Sequence, residues 1–137
     1  MTGYRNIFLD TAPFIYYIEE HEKYFERVKD FFASINDERL ITSVVSYEEY
    51  CVGALKYAPG KIAKMEAFLE SMNIELMPIN KAIALKAAET RSKNSALKGM
   101  DALQIGTAFH SGCDLFVTND KRLSRVEGID FLLIENM

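Results

Sequence analysis

The sequence predicts an α/β fold, a three-layer α/β/α sandwich around a central, mostly parallel sheet of four to five strands. Two observations carry that expectation. Short apolar runs such as Ile7-Phe8-Leu9 and Leu115-Phe116-Val117 have the length and continuity of strands buried on both faces. Between such runs lie longer stretches whose apolar residues recur at helical spacing, the alternation of parallel strands joined by helical crossovers.

The first strand ends on Asp10, and a helix follows from Pro13 with Phe14, Ile15 and Ile18 on one stripe. Glu19-Glu20-His21-Glu22 interrupts it. A second helix carries Tyr24, Phe25, Val28, Phe31, Phe32 and Ile35 on one side. Core packing accounts for these aromatics, and the alternative assigns Tyr16, Tyr17 and Tyr24 to a partner groove. Asn36 to Arg39 is a turn and Leu40 to Ser43 the second strand. Ser46-Tyr47-Glu48-Glu49 opens a helix that runs to about Tyr57, where Ala58-Pro59-Gly60 stops it. Lys61 to Met72 is amphipathic, with Ile62, Met65, Phe68, Leu69 and Met72 inward. Ile74 to Pro78 is a short strand. Asn80 caps a helix whose Ala82, Ile83, Ala87 and Ala88 permit close packing. Arg91 to Gly99 reads as a basic loop. Met100 to Ser111 reads as a helix with Ala102, Ile105 and Phe109 on one face, ended by Gly112. Asp114 to Val117 is a strand with Thr118-Asn119-Asp120 at its carboxyl end, and Gly128 turns the chain into Phe131 to Ile134. With no linker or internal repeat, residues 1–137 read as a single domain.

Composition narrows the class. Hydrophobic residues make up 49%, enough for a core, and no apolar run approaches the length of a membrane span. Met1 to Arg5 leads straight into the first strand, leaving no room for a signal peptide. Cys51 and Cys113 are isolated, as reduced thiols of a cytoplasmic protein are, and with two histidines they make no zinc pattern. His21 and His110 read as surface or packing residues, and no GxSxG or Cys–His pairing signals nucleophilic catalysis. A net charge of −4 argues against tracking along nucleic acid by charge alone. It leaves room for an acidic metal site acting on phosphate, because a bound cation inverts the local charge.

Four acids fall at helix starts near one sheet edge: Asp10, Glu49, Asp101 and Asp120. In open parallel sheets that edge is where ligands bind. Each acid also has an ordinary structural reading. Asp10 suits an N-cap. Glu49 completes a capping box with Ser46. Asp101 complements the macrodipole of a first turn. Asp120 suits the cap of a short helix. The gathering is what these readings leave unexplained. Two carboxylates about 4 Å apart repel by roughly 4 kcal/mol at an effective dielectric of 20. A cation would relieve that cost, and oxygen-only ligands favour Mg²⁺ or Mn²⁺.

Four segments in order resemble the motifs of the PIN-domain ribonucleases, and within them the VapC-type toxins of toxin–antitoxin pairs. "FLDTAPFIYYIE" is similar to the opening strand and helix, with Asp10 as first acid. "TSVVSYEEYCVG" is similar to the second motif, whose register, an acid three residues after a Ser and four before a Gly, selects Glu49 over Glu48. "GMDALQIGTAF" and "DLFVTNDKRL" resemble the third and fourth motifs and bring Asp101 and Asp120. The resemblance covers nearly the whole chain. It implies a metal-dependent endoribonuclease that cuts single-stranded or loop RNA with metal-activated water. Asp10, Glu49, Asp101 and Asp120 would hold Mg²⁺ or Mn²⁺, with Thr11 and Thr118 orienting carboxylates from a second shell. Lys98, Lys121, Arg122 and Arg125 are candidates for RNA backbone contacts. The resemblance further implies an antitoxin protein partner and a homodimer, with no membrane association.

Three alternatives stay open. A housekeeping PIN-domain ribonuclease would keep the chemistry without the toxin role. A non-catalytic RNA- or protein-binding module of the same fold would have no reason to retain four repelling acids. An aspartyl-phosphate enzyme would use Asp10, Thr118 and Lys121, but Ala12 stands where that chemistry needs a second aspartate.

Overall fold

The computed structural model describes residues 3–137. Among these, five strands form one parallel sheet: β1 (Asn6–Leu9), β2 (Arg39–Ser43), β3 (Glu75–Met77), β4 (Leu115–Thr118) and β5 (Asp130–Leu133), in the order β3-β2-β1-β4-β5. The chain winds outward from β1 through β2 to β3, then returns to place β4 on the other side of β1. The order reverses between β1 and β4, and in such sheets the crevice at that reversal is the binding site.

Period-two alternation splits the sheet's side chains between two helical layers. Ile7, between Leu40 and Leu115, and Leu9 face α1 (Thr11–Ile18), α2 (Phe25–Ala33), α3 (Val44–Tyr57) and α4 (Lys61–Ser71). Phe8, between Ile41 and Phe116, faces α5 (Lys81–Lys93) and α6 (Gly99–His110). Phe8 and Phe116 stack with ring centroids 4.9 Å apart. The α/β/α sandwich expected from the sequence is thus observed, and the sheet is wholly parallel. Gly106 lets α5 and α6 touch: a Cβ there would lie 2.9 Å from the Ala87 backbone nitrogen. Among the described residues no helix is long and apolar enough to cross a membrane.

Several local expectations change. The aromatic helices are core: Tyr17 packs against Phe25, Phe32 and Phe68, and Tyr16 against His21 and Tyr24. The basic segment from Arg91 is not a loop at its start, because α5 runs on to Lys93; Lys and Arg are good helix formers and suit a helix C-terminus. Ala82 and Ala88 are exposed, and only Ile83 and Ala87 of the four small or apolar positions pack inward. The helix after β2 begins at Val44, capped by Ser43, whose Oγ accepts the Val45 N–H at 3.0 Å. β2 therefore runs into α3 with no intervening loop, and Ser46 lies inside the helix.

Candidate active site

The site grows out of the crevice between β1 and β4. Asp10 follows β1, and its N–H extends the ladder to the Val117 carbonyl at 2.9 Å. Its side chain caps α1, accepting the Thr11 N–H at 2.8 Å. The same oxygen accepts the Gln104 amide N–H at 3.1 Å, and the other accepts the Thr118 hydroxyl at 2.7 Å. Burial pushes the Asp10 carboxyl above its ordinary value, and nearby Glu49 adds to the push. The three hydrogen bonds oppose it without overcoming it. Three of about four acceptor positions are filled, leaving room for a further electrophile.

Glu49 is one turn inside α3, not at its cap. Ser46 is fully buried and takes a hydrogen bond from Gln104 at 2.6 Å, so the Ser46–Glu49 capping box does not form. Glu49 instead accepts the Thr11 hydroxyl at 2.6 Å. A single segment, Asp10-Thr11, therefore sets both its own carboxylate and that of Glu49.

Asp101 sits in the first turn of α6. Partial burial raises its carboxyl, and the neighbouring Asp120 raises it further, against weaker opposing pulls from Arg122 and Lys98. Asp101 and Glu49 line one open cavity of about 710 Å³, together with Arg91, Lys98 and Arg122. Asp120 caps the 3-10 turn Lys121–Arg125 through the Arg122 N–H, and Arg122 also grips it through its guanidinium. That grip holds the Asp120 carboxyl below its ordinary range.

One polar residue had no place in the sequence reading. Gln104 is 1% exposed, on a turn of α6 that is otherwise buried apolar or small. Its amide oxygen accepts the Ser43 hydroxyl while its nitrogen serves Asp10 and Ser46. Every polar atom of the side chain is used, and the network ties β1, α3 and α6 together beneath the acids. The detectable signal was a glutamine within a helix too apolar to have a solvent face, where burial demands partners.

The structure brings Asp10 next to Glu49 and Asp101 next to Asp120. Among the described residues no group of three or more His, Cys, Asp or Glu side chains is close enough together to hold a metal ion as it stands. The donor chemistry nevertheless fits a hard divalent ion. The donors are all carboxylate oxygens, two of them on groups whose charge burial and like-charged neighbours disfavour, and among the described residues no hydrogen bond engages Asp101. Of the basic candidates, Lys98 lines the cavity. Arg125 lines its neighbour, Arg122 is committed to Asp120, and Lys121 pairs with Glu135 at 3.2 Å.

The family pattern described as PIN domain matches residues 7–129. No curated protein matches the chain by sequence. Among solved structures, VapBC2 from Rickettsia felis bound to promoter DNA superposes with a TM-score of 0.74 at 17% identity, covering 93% of this chain and 98% of that one. DNA-bound VapBC from Salmonella typhimurium gives 0.75 at 20%, covering 95% and 98%. VapC20 from Mycobacterium tuberculosis, described as a sarcin-ricin loop cleaving toxin, gives 0.72 at 16%, covering 87% and 93%. At these identities the likeness is one of fold.

Proposed function

The chain belongs to the PIN-domain family, and from that premise we propose that it is a metal-dependent endoribonuclease acting on single-stranded or loop RNA, the toxin of a toxin–antitoxin pair. The observation that carries the reading is Asp10 at the switch crevice. It is held by three donors beside Glu49, with Asp101 opening onto the same cavity as Glu49. Asp10, Glu49 and Asp101 would hold Mg²⁺ or Mn²⁺, and Asp120 lies at the margin of the set. When bound, such an ion lowers the pKa of a water and offsets charge developing on phosphoryl oxygens. The chain's own contribution is placement. Thr118 and Gln104 fix Asp10, Thr11 fixes Glu49, and Lys98 and Arg125 are set to meet the RNA backbone. The structural likeness to VapBC complexes supports an antitoxin partner and a homodimer as parts of the same proposal.

The test is cleavage. Purified chain, free of any antitoxin, is incubated with structured RNAs and Mg²⁺ or Mn²⁺. Cuts at a few single-stranded loop positions are expected, abolished by EDTA and by Asp101→Asn, with 5′-phosphates on the products because water attacks. A 2′,3′-cyclic phosphate would show attack by the 2′-hydroxyl and sink the mechanism. Tight RNA binding without cleavage would favour the non-catalytic module, a reading the open metal set already supports.

A further inference from the structure

Asp120 is unlike the other three acids in having a counter-charge within its own turn. Its Oδ1 accepts both the Arg122 backbone N–H and Nε at 3.0 Å, and its Oδ2 accepts a terminal guanidinium N–H at 2.6 Å. Both carboxylate oxygens are taken in a side-on, bidentate pairing, the strong form of a charge-assisted hydrogen bond. The turn itself enforces it. Asp120 caps Lys121–Arg125, so the fold that satisfies the Arg122 N–H also returns the guanidinium to the carboxylate. Arg122 lines two cavities, the one holding Glu49 and Asp101 and a second of about 400 Å³ that also reaches Asp101. Its charge thus stands between two acids. On the opposite side Asp10 and Glu49 are held by neutral donors alone: backbone amide, hydroxyl and carboxamide.

We propose that Arg122 is the site's fixed second cation: the Asp120–Arg122 pair stands where a second divalent ion would need a ligand, so the chain binds one such ion, through Asp10, Glu49 and Asp101. The inference rests on the metal-dependent nuclease reading above. A guanidinium keeps its charge at every accessible pH and carries five N–H donors, of which Asp120's oxygens use two from the side chain. The remainder suit a phosphoryl oxygen entering the cavity.

The experiment counts ions. Mn²⁺ is titrated into the full chain and into Arg122→Gln, Asp120→Asn and the double variant, with free Mn²⁺ followed by electron paramagnetic resonance. Wild type should take one ion. Arg122→Gln should take a second, and should bind the first on the order of fivefold tighter because a positive neighbour is gone. Adding Asp120→Asn should return the count to one. The side chains of Arg122 and Asp120 are 64% and 30% exposed, and circular-dichroism melts verify that each variant is folded; Arg122→Met substitutes if Arg122→Gln is not. Two ions in wild type, or one in a folded Arg122→Gln, would overturn the inference and leave the nuclease reading standing. No ion in wild type would overturn both.

Discussion

The two edges of the sheet use the same residue types to opposite ends. At the amino edge every strand-start acid has a partner. Glu75 is gripped by the Arg39 guanidinium, Asp114 accepts the backbone N–H groups of Arg5 and Asn6, and Asp130 accepts the Tyr4 hydroxyl. Arg39 holds the Glu75 carboxyl below its ordinary value. At the carboxyl edge Asp10 and Asp101 are pushed up, by burial first and by neighbouring acids second. Carboxylates at one edge join strands together. At the other they are kept where their charge is disfavoured, which is the condition of a site waiting for a cation. Perturbation in opposite directions, not acid content, distinguishes the working edge from the structural one.

The largest expected effect comes from removing charge at the working edge. Asp10→Asn should cut RNA cleavage by more than about 100-fold, beyond what losing an outer-shell partner usually costs. It should also stabilise the metal-free protein. A carboxyl whose folded pKa lies above its unfolded value binds its proton more tightly when folded. Its contribution to stability is therefore lost as pH rises from the unfolded pKa through the folded one. Wild type without metal should lose this contribution between about pH 4 and neutrality, and Asp10→Asn should remove that slope and gain about 1 kcal/mol at pH 7.5. Metal-free melts at pH 5 and pH 7.5, read beside cleavage rates, decide it. A variant that is less stable at pH 7.5 yet still cleaves would erase the contrast between the edges.

What the sequence could show follows the same divide. β1 and Asp10 were legible because a two-face-buried apolar run ends abruptly on an acid. Glu49 was legible as a candidate, but its ordinary alternative was wrong. Thr42, Ser43 and Ser46 are all good N-caps, and the choice among them is made by where β2 stops pairing, with Ser43 still opposite Met77 of β3. No local pattern carries that information. Gln104 was missed because its meaning depends on how completely α6 is buried, a tertiary fact. The commitment of Arg122 to Asp120 was missed for a smaller reason: an Asp-x-Arg spacing becomes a bidentate pair only when the turn between them is 3-10.

A middle-sized effect should come from beneath the working edge. Gln104→Leu keeps the volume of the side chain and removes every hydrogen bond it makes. Ser46 and Asp10 lose a donor each, and the Ser43 hydroxyl loses its acceptor, all in a buried setting. Chemical denaturation should register a loss of about 2–3 kcal/mol. The Asp10 carboxyl, deprived of one opposing hydrogen bond, should move further up, so the pH at which cleavage is half-maximal should rise. A stability loss without that shift would make Gln104 a packing residue and detach it from the site.

The smallest effect belongs to the amino edge, and its smallness is the point. Arg39→Gln breaks the bidentate pair with Glu75 and the hydrogen bond to the Ser111 carbonyl at 3.2 Å that ties β2 to the end of α6. Both side chains of the pair are 44% exposed, so solvent screens most of the attraction, and a loss of about 0.5 kcal/mol at pH 7 is expected. The sign here is the reverse of that at Asp10. Glu75's folded pKa is lowered, so the pair's contribution is present above the unfolded carboxylate value and is lost as pH falls through the folded one. Wild type and Arg39→Gln should therefore converge in acid. RNA cleavage should be unchanged, since Arg39 opens β2 while the acids lie beyond the other end of the strands. A fall in cleavage larger than the stability loss explains would mean that strain at one edge reaches the other through β2 and α6, and the two could no longer be treated as separate.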